Sequence, residues 1–112
     1  MDSTRQKKIG RLIQKEMSEI FQKEVRDITM GTMVSVTTAR VSPDMGMAKV
    51  YLSIFPSDKK DEIFSNIKQQ TSKLRFLLGQ RVGKQLRVIP ELSFFIDDSL
   101  DYIERIDDLL KE

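Results

Sequence analysis

The strongest constraint on the fold is a change of period in the apolar residues. Ile9, Leu12, Ile13, Met17, Ile20, Phe21 and Val25 recur every one, three or four positions, a single stripe on a 3.6-residue period. The spacing predicts a helix from residue 4 to about 25, with Ser3 or Thr4 capping its first amides. After Met30-Gly31 the stripe gives way to Thr32–Val41, rich in the β-branched residues that suit a pleated surface. Val34 and Val36 share one face, whereas Ala39 and Val41 fall on the opposite parity, so a bulge is expected between Val36 and Ala39. Ser42-Pro43-Asp44-Met45-Gly46 supplies a turn. A second strand follows over 47–55, with Ala48, Val50, Leu52 and Ile54 facing one way. So short a connection predicts an antiparallel hairpin.

Pro56-Ser57-Asp58 starts a new helical pattern, with Ser57 as cap. Ile63, Phe64, Ile67, Leu74, Leu77, Leu78 and Val82 carry the stripe to about residue 85. One straight helix of that length would span ~40 Å, too long for a domain with a radius of gyration of ~13 Å. The polar run Gln69-Gln70-Thr71-Ser72 therefore marks a kink near residues 70–72. Pro90 ends the helical stretch. Leu92, Phe94 and Ile96 alternate as a third strand, and Asp97-Asp98-Ser99 opens a last helix bearing Leu100, Ile103, Ile106, Leu109 and Leu110. The expectation is an α+β domain, order α-β-β-α-α-β-α, occupying residues 1–112 as one unit.

Catalysis and metal chemistry find little support. The 112 residues include no cysteine and no histidine, which excludes disulfides, zinc sites of the usual donors and Ser/His or Cys/His nucleophiles. Asp97, Asp98 and Asp101 sit where a helix begins, and capping explains them. Phosphate-loop, dinucleotide and EF-hand spacings are missing. No catalytic residue, metal or cofactor is therefore expected. Apolar runs fall short of a membrane span, and the polar start lacks a signal peptide's apolar stretch, so a cytoplasmic location without membrane contact is the expectation.

Charge is unevenly distributed. Residues 97–112 hold seven carboxylates against two cations, a balance of −5, so the preceding residues carry +7 within a net +2. Arg5, Lys7, Lys8, Arg11 and Lys15 precede the first acid of the helix, Glu16. Cations at a helix amino terminus oppose its dipole at a few tenths of a kcal/mol each. Lys68, Lys73, Arg75, Arg81, Lys84 and Arg87 follow in a stretch free of acids. Two readings stand side by side: a polyanionic partner, with nucleic acid first among candidates, or a solvated positive face. If the first helix and the kinked pair share one side of the sheet, Arg5, Lys7, Lys8, Arg11, Lys15, Lys73, Arg75, Arg81, Lys84 and Arg87 form one RNA-binding surface. Phe64, Phe76, Phe94 and Phe95 are the aromatic candidates, and most occupy core-compatible positions, so base stacking takes second place to phosphate contact and recognition of RNA shape.

Several segments in this order resemble the bacterial ribosome-binding factor A family. They are Arg11-Leu12-Ile13-Gln14-Lys15-Glu16, Ala39-Arg40-Val41-Ser42-Pro43-Asp44, Ala48-Lys49-Val50-Tyr51-Leu52-Ser53 and Leu74-Arg75-Phe76-Leu77-Leu78-Gly79. Most specific is Leu86-Arg87-Val88-Ile89-Pro90-Glu91-Leu92-Ser93-Phe94-Phe95-Ile96-Asp97. The resemblance implies a type II KH-like fold, a three-stranded mixed sheet with helices on one face. It further implies a non-enzymatic factor that binds free or immature 30S subunits through 16S rRNA and supports late maturation, including 16S rRNA 5′-end processing. The family's role matters most in the cold, and a ribosome-associated GTPase releases the factor. A monomer is the simplest state. Three departures accompany the likeness. Gln70-Thr71-Ser72 stands where the family has an Ala-x-Gly kink, the stretch from Gly79 to Pro90 is about two residues longer than in many members, and the sequence stops soon after its expected last helix, so no role of the long charged carboxy-terminal extension of many members is carried over. From a different class comes the alternative of a protein-interaction module docking through the acidic carboxy-terminal helix.

Overall fold

The computed structural model describes residues 3–55 and 57–97. Helix α1 spans Thr4–Lys23 and buries Ile9, Ile13, Met17, Ile20 and Phe21. Ser3 caps it in a reciprocal box: the Gln6 amide donates to the Ser3 hydroxyl at 3.1 Å, and the Ser3 amide donates to Gln6 Oε1 at 2.8 Å. The helix ends two residues earlier than the stripe suggests. Val25 instead caps a short helix α2, Arg26–Thr29, which sequence periodicity did not separate from α1. Met30 and Gly31 both adopt left-handed backbone, φ 55° and 76°, and reverse the chain into the sheet.

Strands β1 (Met33–Val41) and β2 (Met47–Phe55) form the expected antiparallel hairpin. The register slips between Val36 and Thr38, leaving Thr37 as the extra residue of the bulge. In the turn, Asp44 accepts from the Ser42 hydroxyl at 2.6 Å and the Gly46 amide at 3.0 Å. A 3-10 turn at Ser57–Lys59 precedes α3 (Lys60–Gln69), so that helix starts later than Ser57. Gln70, at φ −104° and ψ 21°, separates α3 from α4 (Thr71–Val82). The Thr71 hydroxyl donates to the Lys68 carbonyl at 2.8 Å, the backbone capture expected of the polar run. Helix α4 stops at Val82, short of residue 85. The chain returns as β3 (Glu91–Ile96), parallel to β2, giving the order β1-β2-β3.

Buried residues of all three strands project to one face: Val34 and Val36, Ala48 through Ile54 at alternate positions, then Leu92 and Phe94. They meet α1, α3 and α4, with Phe21 and Phe94 packed edge to face at 6.2 Å. β1 is an edge strand, and α1 closes it. Gln6 Nε2 donates to the Val41 carbonyl at 2.9 Å, Gln14 Nε2 to the Thr37 carbonyl at 3.1 Å, and the Val36 amide donates to Ser18 Oγ at 3.3 Å. Such closeness needs Gly10, where a Cβ would stand 2.5 Å from the Ala39 carbonyl oxygen. The expected last helix, 98–112, lies outside the described residues.

Candidate nucleic-acid interface

Latching α1 along β1 places its basic residues beside the strand. Lys7 and Arg11 line an open depression with Gln6, Gln14, Thr38, Ala39 and Arg40. Its three cations come with no acid among the lining residues. On the other side of the same helix end, Arg5 and Lys8 border a second depression with Arg87, brought in by the segment before β3. Asp44 also lines it, and bonds from the Ser42 hydroxyl and then the Gly46 amide hold its carboxyl below the usual range. Arg5, Lys7, Lys8, Arg11 and Arg87 are exposed, and no carboxylate among the described residues pairs with them. Lys84 is exposed in the turn before Arg87.

The remaining candidates lie in different surroundings. Arg81, from α4, reaches the carboxy-terminal half of α1. It donates to Glu19 at 2.7 Å, Glu24 at 2.9 Å and Glu16 at 3.0 Å. Bonds to Glu16 and then Glu24 raise its already high pKa, and the bond from Arg81 is the main cause that lowers Glu19. A guanidinium so committed is a clamp between helices. Arg75 donates to the Ile89 carbonyl at 2.6 Å and the Pro90 carbonyl at 3.1 Å, tying α4 to the entrance of β3. Lys73 lies 3.9 Å from Asp27 near α2, at the end of α4 opposite Arg87. Lys15 marks the boundary on α1, close enough to Glu19 to help lower its pKa. The helices do pack on one side of the sheet, but antiparallel packing of α4 on α1 divides the cations between two ends.

Two features escaped the sequence reading. Arg40 belongs to the basic depression, and its opposition to Lys49 across the hairpin was legible once the bulge was placed. Phe76 is 64% exposed, and its polar neighbours were the available signal, whereas Phe95, 41% exposed, alternates out of the core as the strand spacing implies. Among the described residues, no cluster of three metal-ligating side chains occurs, and no helix is long and apolar enough to cross a membrane.

A mixed three-stranded sheet, helices on one face and a kinked helix pair linking parallel strands define the KH-like class of α+β domain. The family model described as Ribosome-binding factor A matches residues 5–110. Ribosome-binding factor A of Cytophaga hutchinsonii is 47% identical over 112 residues, covering 100% of this chain and 84% of the relative. That of Flavobacterium johnsoniae is 50% identical over 111 residues, covering 98% and 85%. The crystal structure of ribosome-binding factor A from Thermus thermophilus superposes with a TM-score of 0.67 at 19% identity, covering 81% of this chain and 94% of that one. A Thermus thermophilus homology model fitted into the cryo-electron-microscopy map of a 30S complex gives 0.63 at 19% identity, covering 80% and 91%. The chain belongs to the ribosome-binding factor A family.

Proposed function

We propose that this chain is a non-catalytic ribosome assembly factor that binds the 30S subunit through 16S rRNA. The observation that carries the reading is the meeting of Lys7, Arg11 and Arg40 in one depression without an acid. Cations held together by the fold and left unpaired gain most from phosphates, whose contact releases counterions. Arg5, Lys8, Lys15, Lys84 and Arg87 extend the surface, whereas Arg75 and Arg81 serve the fold. The 30S complex fitted for the Thermus relative supports the subunit as partner. On this reading the factor acts as a monomer on free or immature subunits, supports 16S rRNA 5′-end processing, notably in the cold, and leaves when a ribosome-associated GTPase acts.

Sucrose-gradient co-sedimentation tests it. The wild-type chain is expected with free small subunits and not with polysomes. Lys7→Glu with Arg11→Glu is expected to cut 30S affinity roughly a hundredfold and to reduce the salt slope by about 2, at about 1 per lost phosphate contact. Unchanged binding at several salt concentrations would remove the depression as the RNA site.

A further inference from the structure

Among the described residues, the helices cover one face of the sheet and leave the other bare. Its rows read Met33 opposite Phe55, Ser35 opposite Ser53, Thr38 beside Tyr51 beside Phe95, and Arg40 beside Lys49 beside Ser93. Tyr51 and Phe95 stack at 5.4 Å with an interplanar angle of 27°. Arg40 and Lys49 are both exposed and directly opposed, an arrangement that destabilises a hairpin. Among the described residues neither has a carboxylate partner. Two acids border the face: Glu91 beside Met47, and Asp97, which accepts from the Thr37 hydroxyl at 2.5 Å. Neither answers the cation pair.

We propose that this open face is a second RNA contact, where bases of a single-stranded segment stack on Tyr51–Phe95 and Arg40 and Lys49 hold its phosphates. The inference rests on the RNA-binding reading above and specifies the form of RNA. Arg40 joins the two places, since it also lines the depression with Lys7 and Arg11. Cations thus run from α1 over β1 to β2 and end beside the aromatic stack. A charged track next to an exposed ring, Phe95, stacked on the half-buried Tyr51 is the arrangement that binds single strands with little sequence preference. The small side chains of Ser35, Ser53, Ser93 and Thr38 around the rings leave room for a base to approach. A duplex keeps its bases stacked internally and has no use for the rings. Charge complementarity selects the occupant: an apolar protein surface would bury Arg40 and Lys49 against each other without compensation.

The test uses the full chain and two probes, a fluorescein-labelled twelve-nucleotide oligouridine and a twelve-base-pair RNA duplex. With Tyr102→Phe in the background, Tyr51 is the sole tyrosine of a chain that holds two and no tryptophan. Oligouridine is expected to quench its fluorescence. Phe95→Leu keeps an apolar side chain without the ring; it should weaken oligouridine binding about tenfold and leave duplex binding unchanged. Undiminished oligouridine affinity without quenching overturns the inference. So does a Phe95→Leu chain that loses stability in urea but no affinity, which assigns the face to packing by residues 98–112. If Lys7→Glu with Arg11→Glu abolishes binding while Phe95→Leu does not, only this inference falls. If neither changes binding of either probe, the RNA reading falls with it.

Discussion

The two halves of α1 use charge in opposite ways. Toward the carboxy terminus, Glu16, Glu19 and Glu24 close on Arg81, so charge there joins α1 to α4. Toward the amino terminus, Arg5, Lys7, Lys8 and Arg11 face solvent, with Arg40 brought beside Lys7 and Arg11 and Arg87 beside Arg5 and Lys8. The first group is satisfied within the protein; the second costs stability through the helix dipole and mutual repulsion. The lesson is that a count of cations predicts nothing about ligand contact until their acids are located.

The largest expected effect on this contrast is the hundredfold loss of 30S binding from reversing Lys7 and Arg11, with the urea midpoint raised slightly as the dipole and repulsion costs are relieved. Next is Gly10→Ala. A methyl group 2.5 Å from the Ala39 carbonyl oxygen must push α1 off β1. A loss of about 2 kcal/mol in urea denaturation is expected, as for other overpacked contacts, with weaker RNA binding because Lys7 and Arg11 separate from Arg40. Wild-type stability would show that α1 is not seated so tightly. Arg81→Gln comes third. Three carboxylates left together should destabilise by about 1–2 kcal/mol, the site being only partly buried. RNA affinity, measured under folding conditions, should stay within twofold of wild type. A large loss of affinity with little loss of stability would erase the division between the halves.

The smallest effect is on pH. Glu19 has its pKa lowered in the folded state, chiefly by Arg81. Its contribution is therefore complete above the ordinary glutamate value of 4.5 and is lost as pH falls through the lower folded value. Stability should decline below pH 4.5 in the wild type and decline less steeply in Glu19→Gln, as read by thermal melts. Equal slopes would mean the clamp does not depend on Glu19.

Periodicity resolved most of the fold, and its failures have local causes. The β1 bulge was legible because Ala39 and Val41 broke parity, and the α3–α4 kink because polar residues interrupt the stripe. α2 was not legible: Val25 continues the α1 spacing, and only the backbone reversal at Met30-Gly31 makes a separate turn of it. At the site, the basic half of α1 could be read directly. The roles of Arg75 and Arg81 could not, since their partners lie 14 to 65 residues away in the chain. Gln6 and Gln14 were also silent, because nothing in a spacing distinguishes a surface amide from one that closes a strand.

That closure governs how the sheet can meet another copy of itself. With Gln6, Gln14 and Ser18 holding the backbone of β1, β3 is the flank left available among the described residues. A sheet with one available flank can join a second at that flank, and the product then presents only occupied sides. Strand-by-strand growth through the described sheet would therefore end at two molecules.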